Sequence, residues 1–290
     1  MNPPVQGQVV AAFSRQYLVE LSDGELLPCL THGKKSEVAC GDMVEVQRIG
    51  DAQGVVKHIL PRQTLLYRSD AYRQKLIAAN ITQIIVVVAS KPSFSDELLA
   101  RCLIAAHDQQ LATLIVLNKC DLLEATTIAR VQLEPYRAIG YQVLELSAKE
   151  NITPLRSFLQ GHTSILVGQS GMGKSTLINA LLPNAQAATR EISTALNSGK
   201  HTTTHARLYH LNRESQLVDC PGVQAFGLHH LDSGAIEAGF VEFAVYYGQC
   251  RFNNCHHTHE PGCALKEAEQ GGKINSRRLK LFQEISQNKC

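Results

Sequence analysis

The chain has 290 residues, enough for two or three domains around a sizeable core. Hydrophobic residues make up 44% and charged residues 19%, the balance of an ordinary globular protein. With 28 Lys and Arg against 26 Asp and Glu, the net charge of +2 argues against a protein that grips nucleic acid over one broad basic surface.

Residues 1–65 read as short strands: GQVVAAF, YLVEL, DMVEVQRI and GVVKHIL are β-rich or alternating, with Asp23-Gly24 and Gly41-Asp42 marking turns. Five or so such strands predict a small β-barrel, with the OB type a candidate. No charged leader followed by a long apolar core opens the chain. The longest apolar runs, such as 84–89, are strand-sized, so neither a signal peptide nor a membrane span is expected and a cytoplasmic protein is. Residues 66–78 read as a linker.

From 79 to 232 the pattern changes to strands alternating with helices, which predicts a doubly wound α/β sheet with its ligand beyond the carboxyl ends of the strands. NITQIIVVVAS is a buried strand and DELLARCLIAAHDQQ an amphipathic helix. ATLIVL is a second strand, closing in Asn118-Lys119-Cys120-Asp121. Asn-Lys-x-Asp suits guanine, because the carboxylate accepts from the ring N–H and the exocyclic amine, a pair that adenine lacks. A helix follows, with Pro135 expected to shorten it. The strand QVLEL then leads into Ser147-Ala148-Lys149, the companion pattern whose backbone N–H meets guanine O6.

Next comes Gly168-Gln169-Ser170-Gly171-Met172-Gly173-Lys174-Ser175-Thr176 between an apolar strand and a helix. This is the full G-x-x-x-x-G-K-[ST] pattern: glycines wrap backbone N–H groups around phosphates, Lys174 reaches the β- and γ-phosphates, and the Ser175 hydroxyl suits Mg²⁺. Asp219-Cys220-Pro221-Gly222 follows a further strand and fits D-x-x-G, with Asp219 toward Mg²⁺ and the Gly222 amide toward the γ-phosphate. Between them, Thr202-Thr203-Thr204 offers a switch ligand for Mg²⁺; Thr203 is the chosen candidate, with its two neighbours open. Val223 occupies the place where Ras-like proteins carry a water-orienting Gln, so intrinsic hydrolysis is expected to be slow; His229 and His230 lie nearby. The order is inverted relative to ordinary GTPases, because the base-reading motifs precede the phosphate loop. A single site survives that order if the sheet is unchanged and the old termini are joined.

Residues 233–290 read as helical around a Cys/His-rich loop. Nine cysteines form no secreted disulfide pattern; three of them, Cys250, Cys255 and Cys263, crowd around histidines. Cys250-x₄-Cys255-x-His257-x₅-Cys263 supplies a Cys₃His set for a structural zinc ion, with His256 and His259 as competing imidazoles.

In this order the motifs, together with the FGL-x-H segment that ends at His230 and the closing EPGC, resemble the circularly permuted ribosome-associated GTPases of the RsgA family over nearly the whole chain. The resemblance implies an N-terminal OB-fold, a central permuted GTPase, a C-terminal zinc domain with His257 as its imidazole, and a catalytic role for His230. It further implies GTP hydrolysis stimulated by the small ribosomal subunit, late in that subunit's assembly, with 16S rRNA as partner and the chain expected to be monomeric. The N-terminal 65 residues depart from a basic RNA-binding surface: they carry six Lys and Arg against seven Asp and Glu, while residues 264–290 carry six against three. Two rival readings remain, an ATPase or nucleotide kinase and a non-enzymatic nucleic-acid adaptor.

Overall fold

In the computed structural model, which describes residues 3–13, 16–31, 37–50, 52–69, 74–183, 206–220 and 227–287, the chain opens with five strands: β1 (Val5–Phe13), β2 (Gln16–Leu21), β3 (Leu26–Thr31), β4 (Met43–Ile49) and β5 (Gln53–Ile59). They pair in the order β1-β2-β3-β5-β4, and β4 returns to β1, which closes the barrel with the strand order of an OB-fold. Alternation along these strands turns Val9, Tyr17, Val19, Leu27, Val44 and Val46 into the barrel core.

The expected linker is a hairpin. Strands β6 (Leu65–Ser69) and β7 (Gln74–Ala79) pair antiparallel with Leu65 opposite Ala79. Leu66 and Ile77 on its strands are buried.

Beyond it, β8 (Gln83–Ala89), β9 (Ala112–Asn118), β10 (Val143–Glu145), β11 (Thr163–Val167) and β13 (Gln216–Asp219) run parallel in the order β10-β9-β8-β11-β13, with β12 (Arg207–His210) antiparallel on β13. All seven residues of β8 are buried, as a central parallel strand requires. The outer strand β12 also pairs with β1, where Ala11 faces Arg207, so barrel and α/β sheet are one hydrogen-bonded surface of 11 strands.

Helices α1 (Asp96–Asp108), α2 (Leu123–Ala138), α3 (Thr153–Phe158) and α4 (Lys174–Leu181) cover the sheet, and α5 (Ser233–Ala238), a 3₁₀ turn (Val241–Tyr246), α6 (Ala264–Gln270) and α7 (Ser276–Gln287) form the C-terminal part. Helix α1 is buried continuously from Leu98 to Ala106, because the sheet covers one side and α5 and α7 the other. Pro135 does not shorten α2: the helix runs through it, with Leu133 and Tyr136 fully buried on either side and the Val131 carbonyl on an exposed turn that water can reach. The helical run after 233 instead breaks at Gly239, where a Cβ would stand 2.7 Å from Ile104 of α1. Among the described residues no helix is long and apolar enough to cross a membrane.

Candidate guanine-nucleotide cleft and metal centre

A cleft of about 660 Å³ opens at the carboxyl ends of the parallel strands. It is lined by Asn118, Lys119 and Asp121 after β9, by Ser147, Ala148 and Lys149 after β10, by Ser170, Gly171, Gly173, Lys174, Ser175 and Thr176 after β11, and by Asp219 and Cys220 after β13. Motifs up to a hundred residues apart thus face one space, despite their inverted order.

The phosphate loop takes its shape from two contacts that exclude side chains. Gly168 has φ +142° and lies so close to β8 that a Cβ would be 2.2 Å from Val87 O. Gly173 is left-handed at φ +91°, at the entry to α4, and a Cβ there would be 2.3 Å from Asn118 Nδ2. Lys174 Nζ donates to Gly168 O at 2.6 Å and Gln169 O at 2.7 Å, so the ammonium spans the mouth of its own loop. Burial pulls its pKa below the ordinary value, against the opposing charge of Asp219 and the Cys102 thiol. Burial likewise raises Asp219, against Arg207 and Lys174. Cation and anion face each other partly desolvated, where a charged ligand is felt strongly.

Asn118 ties three loops together. Its amide is 1% exposed; Nδ2 donates to Met172 O and Oδ1 accepts from Ala148 N, both at 2.9 Å. The Ala148 N–H of the companion motif is therefore held by Asn118 in this structure. Lys119 has φ +66° and donates through Nζ to Lys91 O at 2.7 Å. Asp121 is exposed at the cleft wall, and the Ser147 hydroxyl is buried with no hydrogen-bond partner among the described residues.

Thr203, Gly222 and Val223 lie outside the described residues. His230 is described, and it is not with the phosphate loop. Its ring sits 4.2 Å from that of Tyr67 on the β6–β7 hairpin and within electrostatic reach of Asp108. Asp108 ends α1, whose other end abuts the phosphate loop through Ser95; a helix of that length spans about 20 Å. Leu228 and Leu231, which flank the two histidines, are buried at 0% and 6% exposure.

Two cations near the site have no sequence signal. Lys91 lines the cleft from the turn after β8. Arg207, 6% exposed, pairs across strands with Asp219 and stands 5.6 Å over the Phe13 ring of the barrel, its Nε and Nη1 without hydrogen-bond partners among the described residues. Only the strand pairing of β12 reveals that position.

In the C-terminal part, the ligand atoms of Cys250, Cys255, His257 and Cys263 all lie within 4.8 Å of one another. His257 Nδ1 is 3.6 Å from Cys250 Sγ and 3.3 Å from Cys263 Sγ, so this nitrogen faces the thiols. Its Nε2 faces Glu237 Oε2 at 3.6 Å, the outer carboxylate that commonly orients a ligating imidazole. The Glu260 carboxylate accepts from the backbone N–H groups of His256, Thr258 and His259, which hold it down at about 2 and shape the loop. Three thiols and one inward imidazole at these separations fit a tetrahedral ion with metal–sulfur bonds of about 2.3 Å. His256 and His259 are exposed and outside the cluster.

Comparison with known proteins agrees with this geometry. The family model described as RsgA GTPase matches residues 59–229. The small ribosomal subunit biogenesis GTPase RsgA of Nitrosospira multiformis is 54% identical over 284 residues, 98% of this chain and 91% of that protein. Its namesake from Burkholderia pseudomallei is 52% identical over 285 residues, 97% of this chain and 91% of that protein. Among solved structures, YjeQ from Thermotoga maritima superposes with a TM-score of 0.75 at 29% identity, covering 98% of both chains. YloQ, described as a circularly permuted GTPase, superposes with a TM-score of 0.70 at 25% identity, covering 99% of this chain and 95% of that one. With a family model over more than half of its length and relatives above 50% identity over nearly all of it, the chain belongs to the RsgA GTPase family.

Proposed function

We propose that the protein hydrolyses GTP to GDP and phosphate, and that it does so on the small ribosomal subunit, in contact with 16S rRNA, during the subunit's late assembly. One observation carries the nucleotide reading: Asp121 and Lys174 line the same cleft although the chain order places the base motif first. Asn118, Lys119, Asp121, Ser147 and Ala148 receive guanine. Residues 168–176 receive the phosphates, whose oxygens take over the Lys174 ammonium from Gly168 O and Gln169 O. Ser175, Asp219 and Thr203 would hold Mg²⁺, which would supply charge neutralisation at the phosphates. Asp219 and the Gly222 amide report the γ-phosphate to the segments that follow them. His230 orients the attacking water only after the 227–231 segment leaves Tyr67, and binding to the subunit drives that movement.

The Cys₃His cluster holds zinc, which keeps the loop between the 3₁₀ turn and α6 folded. The domain boundaries are a barrel over 1–65, a connector over 66–78 that contains the β6–β7 hairpin, a permuted GTPase over 79–232 and a zinc domain over 233–290, in a monomeric cytoplasmic protein.

The test is GTP turnover titrated with purified small and large subunits. Stimulation by the small subunit alone is expected. Equal stimulation by both, or turnover of ATP as fast as GTP, would overturn the assignment.

A further inference from the structure

The turn over residues 91–95, which joins β8 to α1, belongs to none of the nucleotide motifs, yet three contacts fasten it to the nucleotide loops. Lys91 O accepts from Lys119 Nζ at 2.7 Å. Pro92 approaches Gly171 so closely that a Cβ there would stand 3.2 Å from the proline ring. Ser95 N–H donates to the side-chain oxygen of Gln169, Oε1, at 2.8 Å. Ser95 is also the cap of α1, its Oγ accepting from Leu98 N at 3.2 Å. The side chain of Gln169 is thus engaged with the start of a helix.

The adjoining Asp96 is held from the opposite side by the C-terminal part of the chain. Arg277, in the first turn of α7, places Nε 2.8 Å from Asp96 Oδ2, and Tyr136 donates its hydroxyl to Asp96 Oδ1 at 3.3 Å. Arg277 also donates to Gln132 O of α2. Direct contacts therefore run from the phosphate loop, through Ser95 and Asp96, to the last helix of the metal-bearing region.

We infer that Gln169 is a positioning residue: its side-chain amide anchors the phosphate loop to the start of α1, and through Asp96–Arg277 the C-terminal region sets how well that loop is ordered before GTP arrives. This rests on the guanine-nucleotide reading of the cleft. A loop with left-handed glycines at 171 and 173 has wide conformational freedom, and every restraint that survives in the free protein lowers the ordering cost of binding. A loop freed of its anchor still forms the same contacts once phosphates are bound. The loss therefore falls on affinity and KM rather than on kcat.

The experiment measures the affinity of a fluorescent GTP analogue and subunit-stimulated kinetics for the metal-loaded full chain, for Gln169→Met, for Arg277→Ala and for the double variant. Gln169→Met is expected to raise Kd and KM about fivefold while kcat stays within about twofold, and to accelerate amide exchange at Ser95. Arg277→Ala, which breaks a half-exposed ion pair, is expected to raise Kd about twofold. The double variant should be no weaker than Gln169→Met, because the connection is already cut. If Gln169→Met fails to fold, Gln169→Asn, one methylene too short to reach Ser95, carries the same expectation. Unchanged affinity in the Gln169 variant overturns its positioning role. A double variant weakened by the product of the single effects overturns the connection to the C-terminal region. A parent protein that binds no GTP removes the underlying reading instead.

Discussion

At the scale of single residues, the chemistry that fixes residue type is also what made the cleft legible. A carboxylate proposed to face the guanine edge, a lysine proposed to meet phosphates and glycines pressed against Val87 O and Asn118 Nδ2 tolerate few replacements, so Asp121, Lys174, Gly168 and Gly173 stand out in the sequence. Asp121→Asn is expected to weaken GTP about a hundredfold and to improve binding of xanthosine triphosphate, because the amide matches a carbonyl where guanine carries an amine; competition binding with both nucleotides checks this. His230 is the opposite case. Its ring lies against Tyr67 beside the buried Leu228 and Leu231, contacts that no motif records. His230→Ala is expected to lower subunit-stimulated turnover by about tenfold or more, the usual scale for a group that moves or orients a proton. Full stimulated turnover in that variant would remove His230 from the reaction.

Among the elements, the strands of the barrel and of the parallel sheet followed from hydrophobic patterning, whereas the breaks between elements did not. The β6–β7 hairpin read as a connector because Arg68, Asp70, Arg73 and Gln74 interrupt the apolar alternation of the sequence there. Helix α2 passed through Pro135 because Leu133 and Tyr136 anchor it on both sides, which outweighs one missing hydrogen bond. Gly239 ends α5 where the chain crosses α1. Its replacement by valine would drive a side chain into Ile104, and Gly239→Val is expected to cost about 1–3 kcal/mol of stability by denaturant unfolding. A cost near zero would mean that α5 shifts away from α1 freely, contrary to the continuous burial of that helix.

For the molecule as a whole, α1 and the sheet link its parts. The pairing of β12 with β1 joins the barrel to the strand that directly follows the Thr202–Thr204 segment. At the other end the Cys₃His loop is tied to the aromatic cluster of Phe240, Phe243 and Phe282, with the His257 ring 5.8 Å from Phe282. Buried Arg278 covers Phe240 and Tyr136 and pairs with Glu242 at 2.7 Å, which carries the cluster onto α2. Removing the metal with a chelator is therefore expected to lower the melting temperature by about 5 °C or more and to be reversed by zinc. An unchanged melting curve in verified metal-free protein would make the three cysteines ordinary thiols.

The amino-acid order alone picked out the groups proposed to read guanine, hold phosphates and ligate a metal, because those tasks depend on residue types at short spacings. The meeting of the base and phosphate motifs in one cleft, the contact of His230 with Tyr67, the engagement of Gln169 with Ser95 and the burial of Arg207 against Phe13 were decided by the tertiary structure. Each depends on strand order and helix packing between residues far apart in the chain, and local pattern carries no record of such pairings.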